Sequence, residues 1–273
     1  MDNFDIKRFA RTVRWMYRIN VKNVLSFAAG LSFGYLFTFI GWLWPLLKSG
    51  SAAQEAAVRY SSSLGTCSFI YVLVIVFSGI WIFSDMNIKG KCITLKMLPA
   101  TDFEKFLARF LAMTLGTAVA GFVAFCIADV LRIAFCLAVG IDYVGLGFSE
   151  FFSNIARAGR LLPWKSEGSP LVGSVVVVLW CLWAQSMYML GSVLLRRNQA
   201  AVITTAHALL IIVLSGAASW LVAEDRTAFI ERLYEPLVYT LAAVLAVATV
   251  ADWWLSYKVF SHMQVINNRW INL

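Results

Sequence analysis

Five polar or ionisable side chains interrupt the long apolar runs of this sequence and are its first candidates for chemistry. They are Asp129, Arg132, Gln185, His207 and Asp252. Inside a membrane such groups are costly unless they are paired, and they often bind a proton, an ion or a polar cargo group. Packing is the alternative for each of them. Asp129 and Arg132 are three residues apart, so they can pair on one face of a helix.

The other three residues each have a structural interpretation beside a functional one. For Asp252 we weigh an ion pair with Lys258 against a role in proton or substrate binding. His207 can titrate near neutral pH, but the chain has only 2 histidines, which favours a packing role. Gln185 suits a hydrogen bond between helices better than a selectivity group.

Motifs for nucleotide and metal chemistry are not recognisable in the sequence. The segment Gly90-Lys91-Cys92 lacks the earlier glycine and the Ser/Thr of a phosphate-binding loop, and no HExxH occurs. The 5 cysteines show no CxxC or other metal-ligand spacing. We therefore predict that the chain is not an enzyme, with no catalytic residue, cofactor or metal of its own.

The elements that must position these residues are membrane helices. Of 273 residues 60% are hydrophobic and 14% charged, against about 45–50% and about 25% in soluble domains. Six apolar runs are each long enough to cross a hydrocarbon core of about 30 Å. They lie near 24–47, 67–84, 106–128, 171–195, 200–222 and 236–257. The sequence predicts an all-α integral membrane protein whose single transmembrane domain covers residues 1–273.

The third apolar run is longer than one span needs. Its apolar character continues past Asp129 and Arg132 as far as Val139. We expect the charged pair near the external end of the span, with residues 130–155 forming a re-entrant or surface helix.

A basic stripe precedes the first span. Its residues recur at helical spacing, opposite the apolar Ile6, Phe9, Val13 and Met16. The stripe consists of Lys7, Arg11, Arg14, Arg18 and Lys22. Residues 2–23 are predicted to form an amphipathic helix in the headgroup layer that binds anionic lipids. It could serve as an anchor and orientation signal, or as a lever that senses a cytoplasmic partner.

The segment between the second and third spans carries a helix-start signal. Pro99 cannot continue a preceding helix, and Thr101 with Glu104 forms a T-x-x-E capping box. A fresh helix is therefore predicted to begin at Asp102. The signal could simply open the third span, or it could place Asp102, Phe103 and Lys105 for contact with a partner protein.

This segment supports a resemblance to a known family. The residues Leu98-Pro99-Ala100-Thr101, followed by Glu104-Lys105-Phe106-Leu107, resemble the coupling turn of ABC-transporter permeases of the type-two exporter class. The interfacial helix and six spans also resemble that family's layout. The departure is that the largest outer loop here lies between spans three and four.

The resemblance implies a permease in a bacterial inner membrane, without its own ATPase domain. The partner-coupling residues would be Pro99, Thr101, Asp102, Phe103, Glu104 and Lys105, docked on a separate ATPase subunit that binds the ATP. Two permease halves, as a homodimer or heterodimer, would export lipidic or amphipathic cargo.

Two other functions stay open on the sequence. One is a membrane scaffold or assembly subunit without transport activity. The other is an ion-coupled carrier that uses Asp252, Asp129 or His207. The net charge of +8 does not require a nucleic-acid partner, because orientation in the membrane accounts for the basic residues.

Topology gives the first testable prediction. With the N-terminus inside, fifteen Lys and Arg residues lie on the cytoplasmic side and seven outside, which favours cytoplasmic termini. Single cysteines at Lys91, Lys165 and Arg226, in a chain without its native cysteines, can be probed with an impermeant thiol reagent on intact cells. We expect labelling at 165 and 226 only, and labelling at 91 would reverse the topology.

Overall fold

The fold is described from a computed structural model. It covers residues 4–49, 53–83, 89–140, 145–157, 170–195, 198–221 and 227–263. The predicted external positions Lys165 and Arg226 lie outside these ranges, as do the first three residues and the last ten.

The described chain is helical apart from short connections, as predicted. Six helices are long and apolar enough to cross a membrane, and each contains most or all of one predicted span. They are α1 Ile6–Ser49, α2 Ala53–Phe83, α4 Asp102–Val139, α6 Pro170–Leu194, α7 Gln199–Leu221 and α8 Thr227–His262. Two short helices complete the order, α3 Lys89–Lys96 and α5 Phe148–Arg157.

Helix α1 is continuous through the boundary predicted near residue 23. Its 44 residues make it about 66 Å long. The five residues of the basic stripe are exposed, whereas Thr12 and Met16 on another face are buried. Of the predicted apolar face, Ile6 is exposed. An interfacial position for residues 2–23 stays a prediction.

The chain divides into two compact units. The first unit comprises residues 1–12, 76–110 and 159–273, and the second comprises residues 13–75 and 111–158. Helices α1, α2 and α4 each contribute one end to each unit, and the units are described separately below.

The second unit has an aromatic core. Tyr35 and Phe39 of α1 and Phe125 of α4 are buried in it together with Phe151 of α5. The rings of Phe125 and Phe151 stack with their centroids 4.0 Å apart. Ser68 Oγ of α2 donates a hydrogen bond of 3.1 Å to the Phe151 carbonyl oxygen. Helix α5 is therefore packed against both α2 and α4.

A buried ion pair fixes the segment that leads into α5. Arg132 Nε donates to Asp129 Oδ1 at 2.8 Å, and the two side chains are almost fully buried. The second oxygen, Asp129 Oδ2, accepts a hydrogen bond of 3.0 Å from the Gly147 amide. Arg132 also donates to the Gly145 carbonyl oxygen, and its guanidinium lies 4.2 Å from the Tyr60 ring centroid. The predicted pairing of Asp129 with Arg132 is confirmed.

The third long helix, α4, ends later than predicted, at Val139. Residues 130–139 continue α4, because the charge of Arg132 is paired and no helix-breaking residue occurs before Gly140. That glycine has φ +78°, the left-handed conformation typical just after a helix. Gly145 and Gly147 contact Arg132 and Asp129, and Asp129 lies ten residues, or about 15 Å, before the end of α4. Helix α5 thus lies beside the C-terminal end of the predicted span.

Close helix contacts build the first unit. Gly79 of α2 lies so near α6 that an added Cβ would be 2.5 Å from the Gln185 carbonyl oxygen, so a larger residue would separate the helices. Val176 of α6 packs with Val238 and Leu245 of α8. The predicted interhelical role of Gln185 fits its hydrogen bond of 3.1 Å from Nε2 to Ser78 Oγ.

The buried pair in the second unit gives a stability prediction. Asp129→Ala leaves the guanidinium of Arg132 buried without its carboxylate, which is expected to cost about 3–5 kcal/mol. The double variant Asp129→Ala/Arg132→Met should recover most of this loss. As a control, Arg59→Ala breaks the exposed Arg59–Glu55 pair and should cost at most about 1 kcal/mol. Thermal unfolding in detergent measures the stability of the three variants. Equal losses of stability for Asp129→Ala and Arg59→Ala would contradict the prediction.

Candidate functional site

The candidate site is the connection between α3 and α4, in the first unit. Helix α3 ends at Lys96, and the α3–α4 turn, defined here as residues 97–101, leads to α4. The Leu98 amide donates to the Leu95 carbonyl oxygen of α3 at 3.3 Å, and the Ala100 amide donates to the Leu98 carbonyl oxygen at 2.8 Å. Helix α4 begins at Asp102, as the sequence predicts.

The predicted capping box is present. The Glu104 amide donates to Thr101 Oγ1 at 3.2 Å, and the Thr101 amide donates to Glu104 Oε2 at 3.0 Å. These reciprocal bonds satisfy backbone donors that the first turn of a helix otherwise leaves without partners. The turn is therefore held to the helix that follows it.

The Glu104 carboxylate also holds the start of α1. Its side chain is fully buried and pairs with Arg8, whose Nε lies 2.7 Å from Oε2. Arg8 Nη2 donates to Oε1 at 2.8 Å, and the Asp5 amide donates to the same oxygen at 2.9 Å. The two carboxylate oxygens thus accept bonds from the start of α1 and from the α3–α4 turn.

Two lysines connect α3 to its neighbours. Lys96 Nζ lies 3.2 Å from Asp102 Oδ1 and donates to the Phe260 carbonyl oxygen of α8 at 3.3 Å. Lys105 is buried, and its Nζ donates to the Lys96 carbonyl oxygen at 3.0 Å. A cation is favourable at the carboxyl end of a helix such as α3.

Phe103 is a half-exposed ring of an aromatic cluster. It makes edge contacts with Tyr257 of α8 at 5.7 Å and with Phe4 at 6.3 Å between ring centroids. Behind it Phe106 stacks on Phe83 of α2 at 5.5 Å. Even so, 47% of Phe103 is exposed, so its ring is available for a further contact.

Exposed apolar side chains surround this rigid turn. Met97 is 79% exposed and Ile93 is 45% exposed. Together with Phe103 they form what we call the turn face. Apolar side chains presented by a hydrogen-bonded scaffold are suited to contact another protein.

The structure divides the six predicted coupling residues into two groups. Pro99 and Phe103 are exposed, and Asp102 and Thr101 are partly exposed. Glu104 and Lys105 are buried, so they position the turn instead of meeting a partner. Sequence reasoning missed Arg8, Ile93 and Met97. For Arg8 no sequence signal exists, because its partner is 96 residues away.

The remaining intramembrane candidates in the first unit are His207 and Asp252. His207 is buried among the rings of Trp180, Trp183 and Tyr188, as expected of a packing histidine. Its Nδ1, however, has no hydrogen-bond partner.

The predicted Asp252–Lys258 ion pair is wrong. Asp252 Oδ2 is bonded to Ser186 Oγ of α6 at 2.9 Å, and Lys258 Nζ lies 4.4 Å from the Trp254 ring centroid. Residues six apart are on different sides of a helix that turns 100° per residue, whereas residues four apart are neighbours.

The sequence also contains a serine pattern found in hydrolases. Gly30-Leu31-Ser32-Phe33-Gly34 matches the GxSxG pattern of a hydrolase nucleophile, which sequence reasoning passed over. Ser32 lies within α1, is buried, and donates to the Ala28 carbonyl oxygen at 2.8 Å, so the strand-to-helix turn of such sites is missing. The described residues place no three His, Cys, Asp or Glu side chains where they could hold a metal ion.

Fold and site define the class of protein. The chain has the apolar helices of a multi-pass membrane protein. No protein-family model, curated protein or solved structure matches it.

The bonds of Glu104 give a stability prediction. Glu104→Gln weakens its bonds to Arg8 and should cost about 1.5–3 kcal/mol, the range for hydrogen bonds to charged groups. Thr101→Ala removes one cap and should cost about 1 kcal/mol. Hydrogen exchange at residues 4–12 should rise for Glu104→Gln and change little for Arg11→Ala, an exposed neighbour. Unchanged exchange in Glu104→Gln would contradict the assigned role.

Proposed function

We propose that the chain is the membrane-spanning, permease-like subunit of an ABC exporter, driven by a separate ATPase chain that docks on the turn face. The observation that carries the proposal is the combination of exposure and rigidity at residues 93–104. Exposed Met97 lies in the turn and exposed Phe103 in the first turn of α4, and the buried Glu104 ties both segments to the start of α1.

The predicted topology places this turn in the cytoplasm. Lipid would not cover Ile93, Met97 and Phe103 there, and exposed apolar clusters in water mark contact sites for other proteins. The T-x-x-E box and the Leu-Pro start are also the residues that resemble the coupling turn of type-two exporters. The geometry therefore supports a protein partner, and the resemblance supports an ATPase subunit as that partner.

The bonds of the turn supply a route for movement within the first unit. A displacement of the turn acts on α4 directly, on α1 through the Arg8–Glu104 pair, and on α8 through the bond from Lys96 to Phe260. Such links between packed elements can transmit a shift at a docking site. We infer that the start of α1 is a lever that senses the cytoplasmic partner, the role considered above for the basic helix of residues 2–23.

The proposal extends to cargo and assembly by the same resemblance. Described helices such as α7 expose Ile212, Val213 and Leu209, a surface that suits lipid or amphipathic molecules. Two copies, or this chain and a related half, would enclose the pathway in a bacterial inner membrane, and the ATP would bind on the partner.

The turn face gives the test of this function. Phe103→Ala and Met97→Ala each remove an exposed apolar contact, and interface anchors contribute about 2 kcal/mol or more. We expect ATPase association in a pull-down to fall at least about tenfold, since about 1.4 kcal/mol equals a factor of ten. Detergent stability should change little for Met97→Ala, because 79% of that residue is exposed.

The controls separate docking from folding and from other functions. Ile19→Ala removes an exposed apolar side chain outside the turn and should leave association unchanged. Association without cargo-stimulated hydrolysis would indicate a scaffold instead of a permease. If no ATPase co-purifies with the wild-type chain, or if both turn variants bind it normally, the docking role is refuted.

A further inference from the structure

A polar seam lies between α6 and α8 in the first unit. The face of α8 toward α6 is apolar at Val238 and Leu245 and then carries Thr249, Asp252 and Ser256. Thr249 Oγ1 donates to the Leu245 carbonyl oxygen at 2.8 Å, and Ser256 Oγ donates to the Asp252 carbonyl oxygen at 2.6 Å. Both hydroxyls are thus bonded to their own helix, and Ser186 of α6 is the side chain that meets the Asp252 carboxyl.

The Ser186 hydroxyl contacts two oxygens at once. Its Oγ lies 2.7 Å from the Trp183 carbonyl oxygen and 2.9 Å from Asp252 Oδ2. Its single hydrogen is shared between the two oxygens if both only accept, as at Ser68, which contacts the carbonyl oxygens of Leu64 and Phe151. If Asp252 is protonated, Ser186 can donate to Trp183 and accept from the carboxyl, so that each contact is a full hydrogen bond. The two contacts therefore favour a protonated carboxyl.

The charges around the seam agree with a neutral carboxyl. Helix α6 contains no Asp, Glu, Lys or Arg, and Cys181 on it packs toward α2. On α7 the titratable group is His207, whose ring faces Trp183 at 5.7 Å.

The cations of the other packed elements are directed elsewhere. Next to the seam, Phe110 of α4 contacts Trp253 at 5.6 Å, and the neighbouring Arg109 faces the Phe83 ring at 6.0 Å. On α8 itself, Lys258 lies over Trp254. Among the described residues no cation pairs with Asp252, and an unpaired carboxylate in an apolar span is costly.

We propose that Asp252 is a proton-binding site within the membrane domain, with Ser186 as its positioning residue. Asp252 is partly exposed. On release the proton passes from the carboxyl to water, and the single Ser186 hydrogen is then shared between Trp183 and the ionised Asp252. Proton release thus weakens the hydrogen bonds that Ser186 makes within α6 and to α8. The site does not depend on the proposed ATPase coupling.

Reaction with dicyclohexylcarbodiimide tests the protonated state. A carboxylic acid adds its O–H across one C=N bond of this apolar reagent, and the product rearranges to a stable N-acylurea without loss of atoms. Purified full-length protein in detergent is treated over a range of pH, and the adduct is located by mass spectrometry. We expect Asp252 to be labelled at neutral pH, with the yield falling as the pH rises.

A second buried carboxyl in the same chain shows whether burial by itself is enough for labelling. Asp129 is also a buried carboxyl, but it accepts bonds from Arg132 and from the Gly147 amide, which suit a carboxylate. It should stay unlabelled over the same pH range. Asp252→Asn should remove the adduct from that segment. A wild-type chain without an adduct on Asp252 at any pH would overturn the proposal.

The positioning role of Ser186 is tested by the direction of a shift. If Ser186 accepts a hydrogen bond from the protonated Asp252 carboxyl, Ser186→Ala removes a bond that stabilises the protonated form. The pH at which half of the labelling is lost should then fall. Ser186→Thr keeps the hydroxyl and should restore the wild-type midpoint. Ser192→Ala, which removes another buried serine of α6 bonded to its own helix, should leave it unchanged. A rise of the midpoint in Ser186→Ala would show that Ser186 donates to an ionised Asp252 and would overturn the assignment.

Discussion

The buried Glu104 carboxylate is the interaction on which the coupling region depends. A charge without solvent contact is tolerated only when its oxygens are fully hydrogen-bonded and a cation is near. Here Arg8 supplies the cation, while the amides of Asp5 and Thr101 supply backbone donors. The donors come from both ends of a long stretch of chain, so one carboxylate holds the start of α1, the α3–α4 turn and the start of α4 together. These bonds fix the turn and the helix start that present Met97 and Phe103 outward.

The second unit applies the same rule to a different segment. Asp129 accepts bonds from Arg132 and from the Gly147 amide, and the segment before α5 is thereby fixed against α4. In both units a buried carboxylate accepts hydrogen bonds from one cationic side chain and from at least one backbone amide that lies outside the helices. Polar groups in this apolar chain therefore organise the connections between helices, while the spans themselves pack through aromatic and small side chains.

Asp252 departs from this rule, and we therefore assign it a different role. Its partner is a hydroxyl instead of a cation, so its charge is removed by a proton and not by a counter-ion. Helix α8 contains both this carboxyl and Phe260, whose carbonyl oxygen accepts the bond from Lys96. The two positions are eight residues apart, about 12 Å along the helix. Helix α8 thus contacts both the end of α3 and the α6–α8 seam.

The sequence by itself determined what depends on neighbours in the chain. Runs of apolar residues predicted the six long helices, and spacings of three residues predicted the Thr101–Glu104 capping box, the start of α4 at Asp102 and the Asp129–Arg132 pair. These features need only the local geometry of a helix. The end of α4 at Val139 was missed because a span needs only about 20 residues, whereas α4 has 38 and its last part is bonded to the segment before α5.

Only the tertiary structure decided which distant residues meet. The Arg8–Glu104 pair joins residues 96 apart, and the Ser186–Asp252 bond joins residues 66 apart. Neither has a sequence signature, because the packing of whole helices sets which faces come together. The exposure of Met97 and Phe103 and the burial of Glu104 and Lys105 follow from the same packing. Residue types alone could not separate these two roles, since each side chain is accessible or buried only through the helices that surround it.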